Sequence, residues 1–571
     1  MNTNVNDLSP TLPRWIRESR RGVDWGVLLA ILLSAACAWA FLLQPGLPRT
    51  NASENYVFRT ADYAQTLLEG RLYPRWSPNV FSGYGSPIPN FFPPAAPYTA
   101  ALLQIFLTDN PVDAVRVLYL ISLTLAGTMM YVFVTRRADA SAGILAAVLY
   151  VYSPYVGMTA PHVLGDLPGV MALALLPALL WSIDRLLVLN RPQDFPLVVF
   201  TMSLLLLTDL RYAVVALGLS LLFVFWHSLR VARSFRWLFV IAAIVLGLLL
   251  SSFYWVPALL ELGEVHWLSS PVPPLNAQLT LTELFTPLAQ VDLGQMVLTP
   301  QLTLGLTHIS FALLGLVGFV LYRSRVRFQL FFFVIGIAVL VSALLLFPRE
   351  TWLLGVVMLC LSISSSGFVL LRERLLPRLF LPVVIITALA TSSAVWLSPL
   401  WPDDFGDVSP LAQVDYERQD FGIAVLPAGT SVPSTLVDTL QPNRFLLEGY
   451  QSGRINKILP EQITPSLQVG TLAHYTHEDS VQITTTLPTT LEILTAYFPG
   501  WSANLGAASL FVGADPTSGL IEISIPETRS SELTIALDTT LVRTAAWVMS
   551  GSTLLCLIFM AWFRLRRSNS L

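Results

Sequence analysis

Long apolar runs recur along the chain, separated by short polar segments rich in arginine. A membrane-spanning helix needs roughly 20 mostly apolar residues, and most of these runs approach that length. The pattern therefore predicts an α-helical polytopic membrane protein with about 12 spans. The predicted spans are residues 25–44, 115–134, 140–158, 168–187, 195–208, 212–228, 237–257, 306–322, 329–347, 351–371, 379–399 and 541–563.

Residues 400–540 have a different pattern. Segments such as SVQITTTL, LEILTAYF, LIEISIP and LTIALDT alternate apolar with polar positions, and Pro, Gly and Asp separate them. This alternation is typical of short antiparallel strands joined by turns. We therefore predict a small β domain, sandwich-like, between the penultimate span and the last one.

Composition supports a membrane protein. Hydrophobic residues make up 54% of the chain and charged residues only 12%, against about 25% charged in soluble proteins. Cys37, Cys360 and Cys556 all lie in apolar runs, so we predict neither a disulfide nor a metal site from them. No phosphate-binding Gly-Lys-Ser loop or dinucleotide fingerprint is present, and we predict no cofactor and no nucleic-acid partner.

Arginine distribution predicts the orientation, because positive charge accumulates in cytoplasmic loops. With the spans above, the clusters fall on one side and both termini are cytoplasmic. This gives a cytoplasmic segment 1–24, a membrane domain 25–399, an extracytoplasmic β domain 400–540, and a last span and tail at 541–571. The outer segments are 45–114, 159–167, 258–305 and 400–540. The clusters are the N-terminal arginines, Arg136/Arg137, Arg185/Arg191, Arg230/Arg233/Arg236, Arg323/Arg325/Arg327, Arg372/Arg374/Arg378 and Arg564/Arg566/Arg567.

Two apolar stretches need separate interpretation. Residues 93–107 are nearly long enough to cross, but a crossing there would move the later arginine clusters outside. We interpret them as a re-entrant or interfacial helix that begins at two prolines. Asp209 and Arg211 interrupt the run 195–228, and charges are costly at the bilayer centre. We therefore predict a tight turn at the outer surface there.

The first outer loop, 45–114, is rich in aromatic residues, Gly and Pro. Residues 54–69 fit an amphipathic helix lying on the membrane, with Gly70 as its end. Arg59 and Asp62 share one face of this helix. Two interpretations are open, a surface salt bridge or a cleft in which a carboxylate and an arginine meet an anionic lipid-linked substrate.

Several short motifs occur in a characteristic order. They are LYPRW, GYGSP and NFFPP in the first outer loop, SPY at 153–155, LGDLPG around Asp166, SSFYWVPALLE at 251–261 and AYFPGW at 496–501. In these motifs the chain resembles bacterial membrane proteins of the YfhO type. More closely, it resembles the set described as 6-pyruvoyl-tetrahydropterin synthase-related membrane proteins. The layout is similar to that of the GT-C superfamily of glycosyltransferases.

The resemblance implies a membrane glycosyltransferase that takes a sugar from a polyprenyl-phosphate carrier at the outer face. It acts on an envelope glycan acceptor, and an acid in the first outer loop serves as base. Membrane lipid is the other expected partner. The candidate catalytic residues are Glu54, Asp62 and Asp166, and the candidate substrate-binding residues are Arg59, Arg75, Tyr84 and His162.

Two alternatives remain open. Where family members tend to carry Asp and His, this chain has Ala52 and Tyr56, and Leu164 and Gly169 replace an Arg and a Glu in the second outer loop. These departures favour a non-catalytic scaffold or lipid-carrier-binding relative. A transporter or flippase is the third reading, and it would show charged or broken helices matched between two halves.

Overall fold

The computed structural model describes residues 24–189, 193–229, 235–267, 277–287, 291, 297–321, 327–373, 382, 386–387, 401, 405–416, 431–436 and 443–568. Within these residues the chain is mostly helical and ends in a strand-rich region followed by a last helix, as predicted. Residues 1–23 and nearly all of the predicted span 379–399 lie outside the described residues.

The helices carry the labels α1 to α19 in chain order. They are α1 Trp25–Cys37, α2 Trp39–Leu43, α3 Ser53–Leu68, α4 Ile88–Phe91, α5 Ala95–Leu103, α6 Pro111–Thr135, α7 Ala140–Val151, α8 Leu167–Leu189, α9 Asp194–Thr208, α10 Leu210–Ser228, α11 Arg236–Leu250, α12 Ser252–Leu260, α13 Leu281–Phe285, α14 Leu306–Leu321, α15 Arg327–Leu345, α16 Leu353–Ser365, α17 Pro410–Tyr416, α18 Arg444–Ser452 and α19 Leu541–Ser568.

Six helices within the described residues are long and apolar enough to cross a membrane, or seven if α11 and α12 form one bent span. The chain is therefore a multi-pass membrane protein. Shorter apolar helices lie at several other predicted spans, and the total of twelve stays a prediction. These shorter helices are Trp25–Cys37, Ala95–Thr108, Asp194–Thr208, Leu306–Val317 and Leu353–Val369.

Two of the spans are broken. After α7, the hydroxyl of Ser153 accepts from Val156 N–H, and Pro154 begins a π-helix, Pro154–Leu164, that ends at Gly165 with φ +65°. The second break separates α11 from α12, whose axes differ by 66°. There Phe253 N–H donates to Ser550 Oγ of α19 at 2.9 Å. A partner from the last helix thus satisfies a backbone donor at the bend.

Several arginine clusters meet at one end of the helix bundle. Arg136 and Arg137 at the end of α6 both pair with the buried Asp184 of α8. Arg185 pairs with Asp194 at the start of α9 at 2.7 Å. Arg236 of α11 donates to the last carbonyls of α8. The prediction that these clusters share one face of the membrane domain agrees with their contacts.

The turn between α9 and α10 lies at the opposite end. Asp209 accepts from Arg211 N–H at 2.8 Å and so caps α10. The side chain of Arg211 pairs with both Asp209 and Asp166, which precedes α8. The charges that interrupt the run 195–228 therefore form a tight turn rather than a buried midpoint.

Helix α3 begins and ends close to the predicted positions, but it does not lie on the membrane with one polar face outward. Val57 on one side of the helix and Arg59 and Asp62 on another are all buried. The prediction of a surface helix is wrong because α5 packs on one side through Tyr63 and Ala101, while residues 71–94 fold over another. Helix α5 and the π-turn after it total 14 residues, or about 21 Å, too short to cross.

The strands form antiparallel sheets. A two-stranded sheet joins β1 to β2, and a three-stranded sheet has the order β6-β10-β9. A six-stranded sheet has the order β3-β5-β11-β7-β8, with β4 also paired to β5. The strands are β1 Val265–Trp267, β2 Ser431–Pro433, β3 Leu467–Val469, β4 Ala473–His474, β5 Glu478–Thr485, β6 Thr489–Ala496, β7 Trp501–Leu505, β8 Ala508–Leu510, β9 Val512–Ala514, β10 Leu520–Ile525 and β11 Thr528–Leu537.

Alternate residues of the two larger sheets point into one apolar cluster. Ile493 of β6, Ile523 of β10, Ile483 of β5 and Ile535 of β11 are each fully buried in it. This is the period-two burial that the sequence predicted. The strand-rich region is confirmed, whereas the sandwich arrangement stays a prediction.

The same cluster includes three aromatic residues of the first outer loop, Trp76, Tyr84 and Phe91. Polar contacts join the same two parts of the molecule. Ala496 N–H donates to the Tyr84 carbonyl at 2.9 Å, and the ammonium of Lys457 donates to the carbonyl of Gly83. Residues 71–94 are therefore the surface on which the strand-rich region docks.

Glycine at position 83 is required by that docking. Its φ is +92°, and an added Cβ would lie 2.5 Å from the ring of Tyr450. We expect Gly83→Ala to destabilise the protein by about 1–3 kcal/mol more than Gly70→Ala. Gly70 is a matched control, since its φ is +86° but an added Cβ would meet nothing within 4 Å. Thermal unfolding in detergent, followed by tryptophan fluorescence, measures both. Equal losses would contradict a steric role for Tyr450.

Candidate functional site

Three of the predicted outer segments converge at the start of α3. Asn51 N–H donates to the Val163 carbonyl at 3.0 Å. The side-chain amide of Asn51 exchanges two hydrogen bonds of 2.8 Å with the backbone of Leu298. A Cβ on Gly165 would lie 2.2 Å from Thr50 Oγ1. The first, second and third outer segments are thus in direct contact at the N-terminus of one helix.

A cavity of about 250 Å³ lies beside this point of convergence. Its walls come from the chain just before α3, from the first turns of α3 and from residues 405–416. Most of the lining is apolar, with a few polar groups, as is usual for small-molecule sites. The lining residues are Leu47, Pro48, Arg49, Glu54, Phe58, Phe405, Asp407, Ala412 and Tyr416.

Glu54 is the predicted acid that faces this cavity. Its Oε2 atom is buried and has no hydrogen-bond partner. Burial raises the pKa of the carboxyl from 4.5 to about 7, although a backbone hydrogen bond and the charge of Arg49 oppose the shift. A carboxyl with a pKa near neutrality exchanges its proton readily at that pH, as a general base or acid must.

Asp62 lies on the same helix but not at the cavity. Eight residues of helix separate it from Glu54, or about 12 Å along the axis. Its Oδ1 accepts from Asn79 Nδ2 at 3.1 Å, while Oδ2 is buried without a partner. Burial raises the pKa of Asp62 to about 7, against the effects of Asn79, Ser77 and Arg59. The two predicted acids of α3 therefore form separate environments.

Arg59 is also buried with unused hydrogen-bonding capacity. Its guanidinium lies 4.3 Å from the centre of the Phe92 ring, and its Nε and Nη2 have no partner. Burial lowers the pKa of Arg59, and the nearby Tyr56, Tyr63 and Asp62 oppose the shift. The interpretation of Arg59 and Asp62 as a surface salt bridge is wrong, because both side chains are buried and Arg59 packs on Phe92.

The carboxylate of Asp166 is engaged on two sides. It accepts from Gly169 N–H at 3.1 Å, capping α8, and pairs with Arg211 at 2.7 Å. Burial raises the pKa of Tyr56, and the negative charge of Asp166 adds to the shift, so these groups are near neighbours. These contacts favour a structural role for Asp166 close to α3.

His162 lies in an aromatic group next to the same helix start. Its ring stacks on Phe41 at 4.7 Å between centroids and meets Trp401 edge-on at 6.5 Å. Its Nδ1 is buried and unpartnered. Phe41 also stacks on Tyr119, whose hydroxyl lies 3.5 Å from Ser53 Oγ. His162 is therefore near the convergence point, although it does not line the cavity.

Arg75 and Tyr84 lie elsewhere. The guanidinium of Arg75 donates to Asn90 Oδ1 and, at 3.2 Å, to the Phe253 carbonyl. Tyr84 packs in the apolar cluster of the strand-rich region. Neither residue lines the cavity, and their contacts favour a role in holding the first outer loop in place.

Sequence reasoning missed three polar residues of the cavity, Arg49, Asp407 and Tyr416. Arg49 had a weak signal, as a charged residue directly after the first apolar run. Asp407 and Tyr416 are some 350 positions away from Glu54, and no spacing in the chain predicts that contact.

Histidine is a common metal ligand, but three histidines outside the cavity have other surroundings. His474 pairs with Asp479 at 2.5 Å, and Nε2 of His477 accepts from Arg75 N–H at 2.9 Å. His266 lies in β1, while the nearby Glu261 binds Arg543. Among the residues that the structure describes, no group of three or more His, Cys, Asp or Glu could hold a metal ion.

Comparison with known families bears on the motifs. Residues 89–354 match the family model described as the 6-pyruvoyl-tetrahydropterin synthase related domain, a membrane protein family. Over these residues, just under half of the chain, the protein is similar to that family. The match includes NFFPP and the later motifs up to SSFYWVPALLE and confirms the resemblance drawn from them. No curated protein sequence matches this chain.

Two solved structures of a mycobacterial enzyme are similar to this protein. They are the arabinofuranosyltransferase AftD from Mycobacteria, with a TM-score of 0.46 and 14% identity, and a mutant of it, with 0.45 and 12%. The alignments cover 90% of this chain but only 40% and 41% of those chains. The chain thus spans well under half the length of the enzyme.

The raised pKa of Glu54 predicts a measurable effect on stability. Folding penalises its charged form, so the stability of the wild-type protein falls as pH rises from 4.5 towards 7 and beyond. We expect Glu54→Gln to stabilise the protein by about 1–3 kcal/mol at pH 8 and to have little effect at pH 4.5. Denaturant unfolding at several pH values measures this difference. Glu448→Gln is the control, since Glu448 is exposed, and a similar pH dependence for it would contradict the assignment.

Proposed function

We propose that this protein is a membrane glycosyltransferase of the GT-C type. It uses a polyprenyl-phosphate-linked sugar at the outer face of the membrane to assemble or modify an envelope glycan. The cavity beside α3 is the site of transfer, and Glu54 is the base. The acceptor hydroxyl loses its proton to Glu54 and its oxygen bonds to the sugar carbon. The bond from that carbon to the carrier phosphate breaks, and the polyprenyl phosphate leaves.

The observation that carries this proposal is the state of Glu54. Several buried carboxylates of the membrane domain are paired, such as Asp184 with two arginines. Glu54 instead has a buried oxygen with no partner, next to a cavity and with a pKa near 7. A buried carboxyl with a shifted pKa in a cavity is the expected condition of a catalytic base.

Two arginines support an anionic substrate. Arg49 lines the cavity with Glu54, and a guanidinium suits phosphate oxygens. Arg59, one turn further along α3, has two buried donor atoms without partners. A phosphate that reaches Arg59 would accept from donor atoms that have no partner within the protein. In this proposal Arg49 and Arg59 contact the donor, with His162 nearby, while the strand-rich region contacts the acceptor.

A non-catalytic, lipid-carrier-binding protein is the second candidate. The observation in its favour is that only Glu54 of the three predicted acids faces the cavity, whereas Asp166 caps α8 and pairs with Arg211. Binding of a polyprenyl-phosphate sugar without turnover, unchanged by Glu54→Gln, would support this candidate over the enzyme.

We expect Glu54→Gln to lower the rate of sugar transfer by about 10²- to 10⁴-fold, because the neutral amide cannot accept the proton. Transfer of a labelled sugar from a polyprenyl-phosphate donor in isolated membranes measures the rate. Asp166→Asn is the matched control, since Asn retains the helix cap, and Asp62→Asn tests the other predicted acid. Full activity in Glu54→Gln, or loss only in one of the other two variants, would overturn the assignment of the base.

The proposal also requires an orientation. Outer loop 45–114 and the β domain 400–540, with its sandwich-like arrangement, face outward, and both termini of a twelve-span chain face the cytoplasm. The domain limits are those predicted from the sequence. A carrier-linked sugar at the outer face reaches the cavity only in this orientation.

Labelling of introduced cysteines measures the orientation. We expect a membrane-impermeant maleimide to label Leu72→Cys and Phe511→Cys in intact cells, since these residues are 80% and 79% exposed. Leu229→Cys, at the opposite end of α10, should react only after the membrane is opened. Labelling of Leu229→Cys alone in intact cells would reverse the orientation and leave the proposed chemistry without its substrate.

A further inference from the structure

Four of the sequence motifs meet in one buried group of side chains. We call this group the junction and define it as Arg75, Asn90, Glu261 and Arg543. Arg75 belongs to LYPRW, Asn90 to NFFPP and Glu261 to SSFYWVPALLE, while Arg543 lies in the first turn of α19. The carbonyl of Pro499, which accepts a hydrogen bond from Arg543, belongs to AYFPGW. The proposed cavity uses none of these motifs.

The centre of the junction is an ion pair between α12 and α19. Arg543 Nε donates to Glu261 Oε1 at 3.0 Å, and Nη2 donates to Glu261 Oε2 at 3.0 Å. Thr540 Oγ1 donates to Glu261 Oε1 at 3.0 Å. Arg543 is fully buried and Glu261 is 6% exposed. The two-point geometry fixes the relative position and angle of the two helix ends.

The pair continues into the first outer loop. Asn90 Nδ2 donates to Glu261 Oε2 at 2.8 Å, and Asn90 Oδ1 accepts from Arg75. Arg75 also donates to the carbonyl of Phe253, two residues after the break between α11 and α12. One connected set of hydrogen bonds therefore links the first outer loop, the bent span and the last helix.

The strand-rich region joins the junction through the turn before β7. Arg543 Nη2 donates to the Pro499 carbonyl at 2.9 Å, and the guanidinium lies 5.1 Å from the centre of the Phe498 ring. Gly500 has φ +110°, and an added Cβ would be 2.6 Å from Arg543 Nη1. The PGW motif is thus shaped to admit the arginine.

Buried ion pairs contribute little net stability, because the loss of hydration offsets their attraction. Removal of one partner leaves an unpaired buried charge, which is strongly unfavourable. Within the junction, Arg543 binds Glu261 directly, whereas Arg75 reaches Glu261 only through Asn90, so loss of Glu261 would leave Arg543 as a buried charge without its carboxylate. A buried pair of this kind can act by excluding other arrangements, since any displacement of one element separates the charges.

We propose that the junction specifies the docked arrangement of the strand-rich region on the first outer loop, rather than the stability of the membrane domain. Arrangements in which the loop, α12, α19 and the turn before β7 are out of register leave a buried charge unpaired. The apolar cluster of Trp76, Tyr84 and Phe91 supplies attraction but little direction. The proposal does not depend on the proposed function of the cavity.

The test is accessibility of a cysteine introduced by Ser86→Cys in the full-length protein in membranes. Ser86 is fully buried where the loop meets the strand-rich region, and its Oγ donates to the Ser431 carbonyl at 2.7 Å. Cys37 and Cys360 are buried in the membrane domain and report its unfolding. Cys556→Ser removes the exposed native thiol. Mass spectrometry after maleimide labelling reads each position separately.

The deciding variant is Glu261→Met with Arg543→Met, which removes the two charges of the direct ion pair and leaves flexible apolar side chains, while Arg75 keeps its acceptors on Asn90 and the Phe253 carbonyl. We expect at least tenfold faster labelling at position 86 while Cys37 and Cys360 stay unreactive. Arg543→Lys, which keeps the charge but loses the two-point geometry, should give an intermediate rate. Glu478→Gln is the matched control. It breaks an exposed pair with Arg71 across the same interface and should leave the rate unchanged.

Three results would overturn the proposal. The first is labelling of position 86 at the wild-type rate in the double variant. The second is an equally large increase of that rate in Glu478→Gln. The third is a parallel rise in labelling of Cys37 and Cys360, which would mean that the junction supports general stability. If the double variant does not accumulate, the same comparison is made with Arg543→Lys, and labelling at the wild-type rate there would also overturn it.

Discussion

The structure depends on how one polar loop is buried. Residues 71–94 lack long regular elements, so their backbone groups and charges need partners from elsewhere before they can pack between helices and strands. Those partners come from distant parts of the chain. The carbonyl of Gly83 accepts from Lys457, Arg75 N–H donates to His477, and the amide of Asn90 donates to Glu261. Because the polar groups of the loop have hydrogen-bond partners, the loop can pack over α3 and bury that helix.

The burial of α3 has an electrostatic consequence. A carboxyl or guanidinium that loses its hydration needs a counter-charge or hydrogen bonds. Asp184, Asp194 and Glu261 have them, and these residues hold helix ends together. Glu54, Asp62 and Arg59 retain buried polar atoms without partners. The first three carboxylates each pair with an arginine, whereas Oδ2 of Asp62 and two nitrogens of Arg59 lie buried in α3 without a hydrogen-bond partner.

The motifs on which the family resemblance rests prove to be mainly architectural. Gly83 and Gly85 of GYGSP make room for Tyr450 and Trp76, and the arginine of LYPRW binds Asn90 and the carbonyl of Phe253. A pattern of Gly, Pro and aromatic residues in a loop indicates a backbone conformation that few other residues allow. It does not reveal whether that conformation serves a ligand or another part of the same chain. The cavity is built from less distinctive residues.

The sequence by itself determined that the chain is a membrane protein. It also determined the positions of most of the helices and of the strand-rich region. Those features follow from hydrophobic periodicity, which is local, and the turn at Asp209 follows from the cost of a charge in lipid. The family resemblance, rather than a local pattern, named Glu54 as an acid of interest. Only the tertiary structure decided that Glu54 faces a cavity while Asp166 caps a helix and Arg75 joins the junction. It alone brought Asp407 and Tyr416 beside Glu54. Burial and partnership depend on contacts between residues hundreds of positions apart, and local pattern carries no information about them.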